Sequence, residues 1–378
     1  MQWELALIFL RLGATSFGGP LAHIALMRAE FVERRGWLSE REFLDSNGAV
    51  ALIPGPSSTQ LAMHIGFRRA GFVGLIVAGV CFILPAMVLV LILAALYARF
   101  GTLPAARAIL WGVQPVVVAV VAQALWKFAP VALPNKTSGA VAIACGAALF
   151  CGARAEAVLL GAGALGLFAA MRERVPNIEK PKAHLFLPPL FIGVGSALKA
   201  ATLGSVFAVF LRIGCLVYGS GYVLLAYLRA ELVEKLSWVS DKQLLDTVAV
   251  GQMTPGPVFT TATFLGFQIA GVPGALAATL GIFGPSFVFV ALLSTVFERL
   301  KTSPRARVFL GFVNAASFAL MAWVTLELAR HTVFPSSHLD GKALGLGAVC
   351  ALVLWKSRLN SAWLLGVGAF VGWVLGPR

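Results

Sequence analysis

The sequence predicts an all-α integral membrane protein built from two homologous halves, and three observations lead to this prediction. The chain of 378 residues is 59% hydrophobic and only 12% charged, whereas a soluble domain carries about twice that charged fraction. Its apolar residues occur in blocks long enough to cross a bilayer, which takes roughly 20 residues. Two stretches that lie 201 positions apart are also alike, and each contains a Pro-Gly-Pro break.

The apolar blocks extend over most of the chain. The first begins almost at Met1, with no basic stretch before it and no small-residue cleavage site after it, so we interpret it as structure and not as a signal peptide. No polar stretch is long enough to form a soluble domain. The clearest further blocks are residues 71–98, 112–125, 139–151, 155–171, 204–227, 274–297 and 309–328.

The net charge of +14 indicates Lys- and Arg-rich cytoplasmic loops, which are typical of membrane proteins. It does not indicate nucleic acid binding, because no basic domain or aromatic-basic platform is present. The five cysteines are scattered through apolar segments without a CxxC pair, so they are interpreted as small buried hydrophobic residues. The sequence predicts no metal and no cofactor.

An internal repeat divides the chain. Residues 9–60 align without a gap on 210–261, with 19 identities in 52 positions. After a one-residue deletion the match continues as far as Arg107 and Arg307. We therefore predict an N-terminal transmembrane repeat, a basic linker and a C-terminal transmembrane repeat, at residues 1–171, 172–200 and 201–378. Duplicated membrane proteins of this kind are usually transporters or channels whose site lies where the repeats meet.

The Pro-Gly-Pro segment has the sequence of a broken helix in both halves. Ser39-x-x-Glu42 and Ser240-x-x-Gln243 each have the form of a capping box, which starts a helix just after the serine. That helix must end near Ile53 or Thr254, because a residue that precedes proline avoids helical geometry. About 14 residues give roughly 21 Å, which is too short for a bilayer core of about 30 Å. A second short helix then begins at the second proline, so we predict a re-entrant hairpin.

Charge counting favours the hairpin over a full crossing. With a hairpin, each half has about five full spans, and the loops carry 19 Lys and Arg residues on one side of the membrane and 9 on the other. A full crossing gives 16 and 12. The steeper asymmetry is typical of membrane proteins, and five spans in each half would make the halves an inverted repeat. The same count places both termini on the outer face.

The break at Pro54-Gly55-Pro56 predicts an anion site. Non-helical backbone at membrane depth survives only where it lines a cavity or is packed in protein. A helix that begins at Ser57 presents unpaired N–H groups and a partial positive charge, and Gly55 lets a ligand approach the backbone. The alternative is a packing kink without a ligand. In the first span of each half, Phe17-Gly-Gly-Pro and its counterpart Tyr218-Gly-Ser-Gly form a further interruption.

Charged residues within these segments are further candidates. Arg11 and Arg212 lie at equivalent positions inside the first span, and their fixed charge suits an oxyanion, although Arg11 is also near enough to the terminus to reach the interface. Four acidic residues are candidates for coupling or gating, with ion pairing as the alternative: Asp45, Asp246, Glu30 and Glu231. The candidate substrate-binding residues are Arg11, Gly18, Gly19, Pro54, Gly55, Pro56, Ser57, Ser58, Thr59, Arg212, Gly219, Thr254, Pro255, Gly256, Pro257 and Thr260.

These motifs resemble the chromate ion transporter family, in its long two-domain form. The resemblance rests on Phe9-Leu-Arg-Leu-Gly, Phe17-Gly-Gly-Pro, Arg28-Ala-Glu-Phe-Val, Trp37-Leu-Ser and Ile53-Pro-Gly-Pro-x-x-Thr, with Thr254-Pro-Gly-Pro in the second half. It covers essentially the whole chain. It implies a multi-pass transporter that exports chromate across the bacterial inner membrane and confers chromate resistance, with sulfate as a mimic of the substrate.

Two other functional classes are alternatives for a chain of this kind. A sulfate or other anion carrier or channel would share this architecture, although a site built from two discontinuous elements favours alternating access. A membrane enzyme would need a flavin, haem or metal, and the sequence has no ligand cluster, nucleotide-binding glycine loop or nucleophile-base pair. Without an ATP-binding loop, the energy must come from an ion gradient or a counter-substrate. The expected partners are the anion and membrane lipid, and the oligomeric state stays open, a homodimer included.

Overall fold

The fold is known from a computed structural model, which describes residues 2–17, 19–101, 103–153, 155–172, 200–218, 223–300, 304–334, 338–357 and 361–376. All regular secondary structure within these ranges is helical, so the predicted all-α class is confirmed. The predicted basic linker lies almost entirely outside the described residues.

The helices follow the repeat. In the first half they are α1 Gln2–Thr15, α2 Gly19–Arg28 continued by a π-helix Ala29–Arg34, α3 Glu40–Val50, α4 Ser57–Phe100, α5 Pro104–Ala132, α6 Lys136–Phe150 and α7 Ala155–Arg172. In the second half they are α8 Leu203–Leu216, α9 Leu224–Leu228 continued by a π-helix Arg229–Lys235, α10 Asp241–Met253, a 3-10 turn Val258–Thr260, α11 Thr261–Leu300, α12 Pro304–Val333, α13 Gly341–Lys356 and α14 Ser361–Leu375.

The first segment of each half folds back on itself. Arg11 contacts Glu30 at 2.6 Å although 19 positions separate them, a distance of about 28 Å along a straight helix. Arg212 and Glu231 repeat this contact at 3.3 Å. The chain can reverse after α1 because Gly19 has a φ of +76°, which only glycine adopts at low cost. The first segment of each half is therefore two helices side by side and not one continuous helix, while the number of spans in each half stays a prediction.

The Pro-Gly-Pro segments also form helical hairpins, as their capping boxes predict. In the first half the Ser39 side chain accepts from the N–H of Glu42, and Glu42 accepts from the N–H of Ser39. Arg68, near the end of the returning helix, binds Glu42 at the start of α3 with a separation of 2.6 Å. The start of α3 and the end of the first part of α4 therefore lie together, at the open end of the hairpin. Ser240 and Gln243 form the same capping box on α10.

Helix α4 consists of two helices joined by a sharp reversal. Ala70 and Gly71 have non-helical dihedral angles, with φ of +60° at Gly71. A Cβ on Gly66 would lie 2.5 Å from the Cβ of Ala78, which places residues on the two sides of the reversal against each other. Helix α11 reverses in the same way at Ala270 and Gly271. After each reversal comes a long continuous helix.

The hairpins of the two halves open in opposite directions. The returning helix of the first hairpin lies along the second part of α11: a Cβ on Gly55, at the tip, would lie 2.5 Å from Ser286 Oγ, and farther from the tip His64 Nδ1 lies 2.9 Å from Ser294 Oγ. The two helices therefore run in the same direction. The part of α11 after its reversal starts at the open end of the second hairpin. It ends beside the open end of the first hairpin, so the two open ends lie on opposite sides.

The later helices join the halves. Helix α5 packs against α14 so closely that a Cβ on Gly112 would lie 2.5 Å from the Cα of Gly372. The repeat-related pair is α12 and α7, where a Cβ on Gly166 would lie 2.9 Å from the Cβ of Phe312. Each half thus completes its core with a helix of the other.

Four stretches of the described residues are long and apolar enough to cross a membrane: Ser57–Phe100, Pro104–Ala132, Val258–Thr295 and Val308–Val333. In the first of them, the part after the reversal is long enough by itself. Their outward faces carry large exposed apolar side chains, such as Phe72, Ile92 and Leu280. Such a surface is suited to lipid. The shorter apolar helices include Lys136–Phe150 and Ser361–Leu375.

Candidate functional site

The tip of each Pro-Gly-Pro hairpin bonds a chain break of the other half, an arrangement called the crossing below. The N–H of Gly55 donates to the carbonyl of Val217, in the break after α8, at 2.7 Å. The N–H of Gly256 donates to the carbonyl of Ser16, in the break after α1, at 2.8 Å. These are repeat-related bonds, because residues 16 and 55 align with 217 and 256. Four chain breaks, two from each half, therefore meet at one place.

Because the tip glycines use their N–H groups in these bonds, the backbone donors that are available to a ligand are those in the first turn of α4. Both tip glycine N–H groups are occupied in this conformation. The helical bonding of α4 starts with the N–H of Gln60, which donates to Pro56 O at 2.9 Å. The N–H groups of Ser57, Ser58 and Thr59 precede it, as the first N–H groups of any helix do. An anion at this helix end would meet them directly.

The first tip is lined with polar side chains. Gln60 Nε2 donates to Pro54 O at 2.5 Å and lies 3.4 Å from Ser286 Oγ. His23 Nε2 lies 3.1 Å from the carbonyl of Ser16, and because a carbonyl only accepts, this nitrogen carries the proton. In the neutral ring Nδ1 is then an acceptor, and it lies 3.2 Å from Ser58 Oγ. All these side chains are buried.

Three buried oxygen atoms at this tip have no hydrogen-bond partner among the described residues: Ser16 Oγ, Thr59 Oγ1 and Gln60 Oε1. Their residues are at most 1% exposed. Buried polar groups are nearly always paired in proteins, and leaving one unpaired costs about 1–3 kcal/mol. Two of the three are hydroxyl groups that can donate. The first tip therefore has unused capacity to bind a polar ligand.

The second tip has the same backbone but different chemistry. Thr254, Thr260 and Thr261 each donate a hydroxyl hydrogen bond to a carbonyl of their own segment, at 2.8–3.1 Å. A Cβ on Gly256 would meet the methyl group of Ala86 at 2.6 Å, where Gly55 faces Ser286. The residues that align with Ser16, His23, Ser58 and Ser286 are Val217, Leu224, Phe259 and Ala86.

The two predicted arginines form ion pairs inside the folded-back first segment of each half. The buried carboxylate of Glu30 binds Arg11 at 2.6 Å, Arg35 at 2.6 Å and Arg34 at 3.2 Å. In the second half the buried carboxylate of Glu231 binds Arg212 and Lys235, both at 3.3 Å. Arg11 and Arg212 are thus each held by a glutamate of the opposing helix, and a second cationic group from that helix binds the same glutamate.

Comparison with known proteins places the chain in a family. The sequence profile described as chromate transporter matches residues 3–167 and 204–373, which together are most of the chain. The chain belongs to the chromate transporter family. With four candidate spans, this family member is a multi-pass membrane protein, and in bacteria the membrane is the inner one. The family is one of transporters and not of enzymes.

Curated relatives of this chromate transporter family member align over nearly its whole length. A probable chromate transport protein of Synechococcus elongatus is 29% identical, over 98% of this chain and 94% of its own length. The chromate transport protein of Cupriavidus metallidurans is 29% identical, over 99% and 93%, and that of Pseudomonas aeruginosa is 29% identical, over 98% and 91%. No solved structure matches.

The structure brings part of the predicted site together. Residues 54–59 lie at the crossing with Gly256 of the other half, whereas Gly18 and Gly219 lie outside the described residues. Asp246 is fully buried, and its repeat counterpart Asp45 is half-buried. The substrate-binding role of these residues stays a prediction.

The polar side chains that line the first tip are not among the residues that the sequence predicts for the site. His23, Gln60 and Ser286 belong to no motif and have no polar counterpart in the repeat except for the threonine at 261. A signal was nevertheless present. His23 follows the Phe-Gly-Gly-Pro interruption by three residues and Gln60 directly follows the Pro-Gly-Pro motif's threonine, so both lie one turn from a chain break.

Proposed function

We propose that this chain is a secondary transporter that exports chromate across the membrane and so confers chromate resistance. The observation that carries the proposal is the polar cluster at the first tip, where two buried hydroxyl groups and a helix N-terminus lack partners among the described residues. Hydroxyl and backbone N–H groups are the donors that a tetrahedral oxyanion takes up in exchange for water. The names of the relatives supply chromate as the anion.

The site would be asymmetric. The anion would lie against the first turn of α4 and the hydroxyls of Ser16 and Thr59, since the hydroxyls of the second tip are already bonded to their own backbone. The two hairpins would be re-entrant, entering from opposite faces of the membrane as an inverted repeat. Alternating access would then arise when one half rocks against the other around the crossing.

The ion pairs in the folded-back first segment of each half would act as gates. Arg11 with Glu30 and Arg212 with Glu231 lie between the crossing and the open end of the hairpin in each half. An anion that enters from one face would compete with the glutamate for the arginine, because both are oxyanions. Opening one pair at a time would expose the site to one face only.

A transport assay tests the function. Labelled chromate uptake is measured in inverted membrane vesicles that contain the full chain, with and without an imposed proton gradient. We expect chromate to accumulate, sulfate to compete for uptake and the gradient to change the rate. If folded protein accumulates neither anion, the chain is not a chromate or sulfate transporter. If only sulfate accumulates, chromate is the wrong substrate.

A matched pair of variants tests the site. Thr59→Val removes a hydroxyl without a partner among the described residues, and Thr260→Val removes its repeat counterpart, which is bonded to Pro257 O. A hydrogen bond to a charged group contributes about 1.5–3 kcal/mol, so we expect Thr59→Val to weaken the apparent chromate affinity by about 10- to 150-fold. Thr260→Val should leave the affinity unchanged. Equal effects in both variants would contradict an asymmetric site.

A further inference from the structure

A buried carboxyl group links the two halves outside the tip cluster. Asp246, on α10 of the second half, has no exposed surface. Its Oδ2 accepts from the hydroxyl of Tyr97 on α4 at 2.7 Å, and its Oδ1 accepts from Nε2 of Gln114 on α5 at 2.9 Å. Both donors belong to the first half. The carboxyl therefore lies where the second hairpin meets two long helices of the first half.

The contacts of this carboxyl group are with neutral side chains. Among the described residues, no Lys, Arg or His nitrogen lies within 4.0 Å of it, whereas the buried carboxylates of Glu30 and Glu231 each have at least two cationic partners. On its own helix, Lys242 lies one turn earlier without reaching it. A buried ionised group with only neutral partners is costly.

Among the described side chains, the other charged and titratable groups on the surrounding helices make their contacts elsewhere. At the start of α10, Asp241 binds Arg229 at 2.8 Å and lies 3.5 Å from His331 of α12. Arg99 of α4 lies over the ring of Phe100, and Arg107 of α5 makes no ion pair with Asp246. Helix α14 carries no ionisable side chain. Tyr97 is thus the titratable group that contacts the carboxyl.

The geometry accommodates both protonation states. The ionised carboxylate accepts from Tyr97 and Gln114. The protonated acid can donate to the Tyr97 oxygen and still accept from Gln114, because a phenol is both donor and acceptor. Taking up one proton changes the charge of the group from −1 to 0 and removes the cost of a buried charge. In membrane proteins an ionisable residue in such a place is by default a candidate for a proton relay.

We propose that Asp246 is the proton-binding group that couples chromate movement to a proton gradient, so that its protonation changes how the second hairpin is held against α4 and α5. This inference rests on the proposed transport function and adds the identity of the coupling site. It is specific to one half. In sequence the repeat counterparts of Tyr97 and Gln114 are Phe297 and Asn314, and Asp45 is only half-buried.

The test compares Asp246→Asn with Asp45→Asn in proteoliposomes that contain the purified full chain. Asparagine keeps an oxygen for both donors but cannot titrate. For one proton per anion, the chromate accumulation ratio of the native chain should change about tenfold per unit of imposed pH gradient. We expect Asp246→Asn to exchange chromate without responding to the gradient, and Asp45→Asn to respond as the native chain does. A native response in Asp246→Asn would overturn the proposal.

A second measurement needs no transport. Infrared difference spectra of the purified protein across a pH titration should show the carbonyl stretch of a buried carboxylic acid in the native chain and in Asp45→Asn, but not in Asp246→Asn. A band that persists unchanged in Asp246→Asn would overturn the assignment. If the native chain moves no chromate while the band behaves as expected, the transport function fails and the proton site stands.

Discussion

The close approach of Gly256 to the other half allows a quantitative test of the crossing. Gly256 has a φ of +91° and donates its N–H to Ser16 O. An added Cβ would lie 2.6 Å from the Cβ of Ala86 and 3.1 Å from Gly13 O, both well inside van der Waals contact. Gly256→Ala therefore combines backbone strain with a steric overlap between the second tip and α4.

The two costs can be separated. A left-handed conformation costs a residue with a Cβ about 1–2 kcal/mol, and overpacking of a dense core costs about 1–3 kcal/mol. Together they predict a loss of about 2–5 kcal/mol in the free energy of unfolding. Ala86→Gly removes the atom that the added methyl group would meet, so the double variant should recover the overpacking part while the strain persists. The expected coupling between the two sites is about 1–3 kcal/mol.

The assay is chemical unfolding of the purified protein in detergent micelles, on the native chain, both single variants and the double variant. Gly48→Ala is the control, because Gly48 lies exposed on α3 and an added Cβ would meet nothing within 4 Å. It should leave stability unchanged or raise it by about 0.5–1 kcal/mol. A coupling below about 0.5 kcal/mol, which is typical of independent sites, would refute the crossed arrangement.

Two further predictions concern the hairpin base and the orientation of the halves. The N–H of Ser39 and the guanidinium of Arg68 lower the pKa of Glu42 from 4.5 to about 2. Its stabilisation is therefore present above pH 4.5 and lost as the pH falls towards 2. The protection of the first turn of α3 against hydrogen exchange, taken relative to the intrinsic exchange rate at each pH, should therefore fall over this range. The protection of the first turn of α10, where neutral Gln243 takes the place of the glutamate, should not change with pH over this range. For orientation, the exposed thiol of Cys151 and a thiol introduced by Lys356→Cys at the matching place in the second half should react with an impermeant maleimide from opposite faces of the membrane, and labelling from one face would contradict an inverted repeat.

The helices and their ends could be predicted from local sequence. Ser39 with Glu42, and Ser240 with Gln243, determine where α3 and α10 begin, because a capping box satisfies the first N–H groups of a helix. The prolines at 54 and 255 determine where those helices stop. The repeat was also visible, since identities at 201-residue spacing need no knowledge of contacts. The family resemblance rested on the same motifs.

The reversals were harder to predict. The sequence around Gly19 reads as an interruption of one span, yet the chain turns back there, because Arg11 and Arg35 find acidic partners on the opposing helix. Gly71 starts the apolar block 71–98, and that pattern alone does not show that the chain reverses there. A glycine permits a reversal but does not require one, and contacts between residues distant in sequence decide which occurs.

The sequence by itself determined the membrane class, the duplicated helices and the breaks at Pro54-Gly55-Pro56 and its repeat, because hydrophobicity, capping and proline geometry act between neighbouring residues. Only the tertiary structure decided that Gly55 bonds Val217, that Ser16, His23 and Ser286 surround one tip, and that Asp246 meets Tyr97 and Gln114 of the other half. Ser286 and its partner Gln60 lie 226 positions apart, and their meeting depends on how two whole halves pack, which no local pattern encodes.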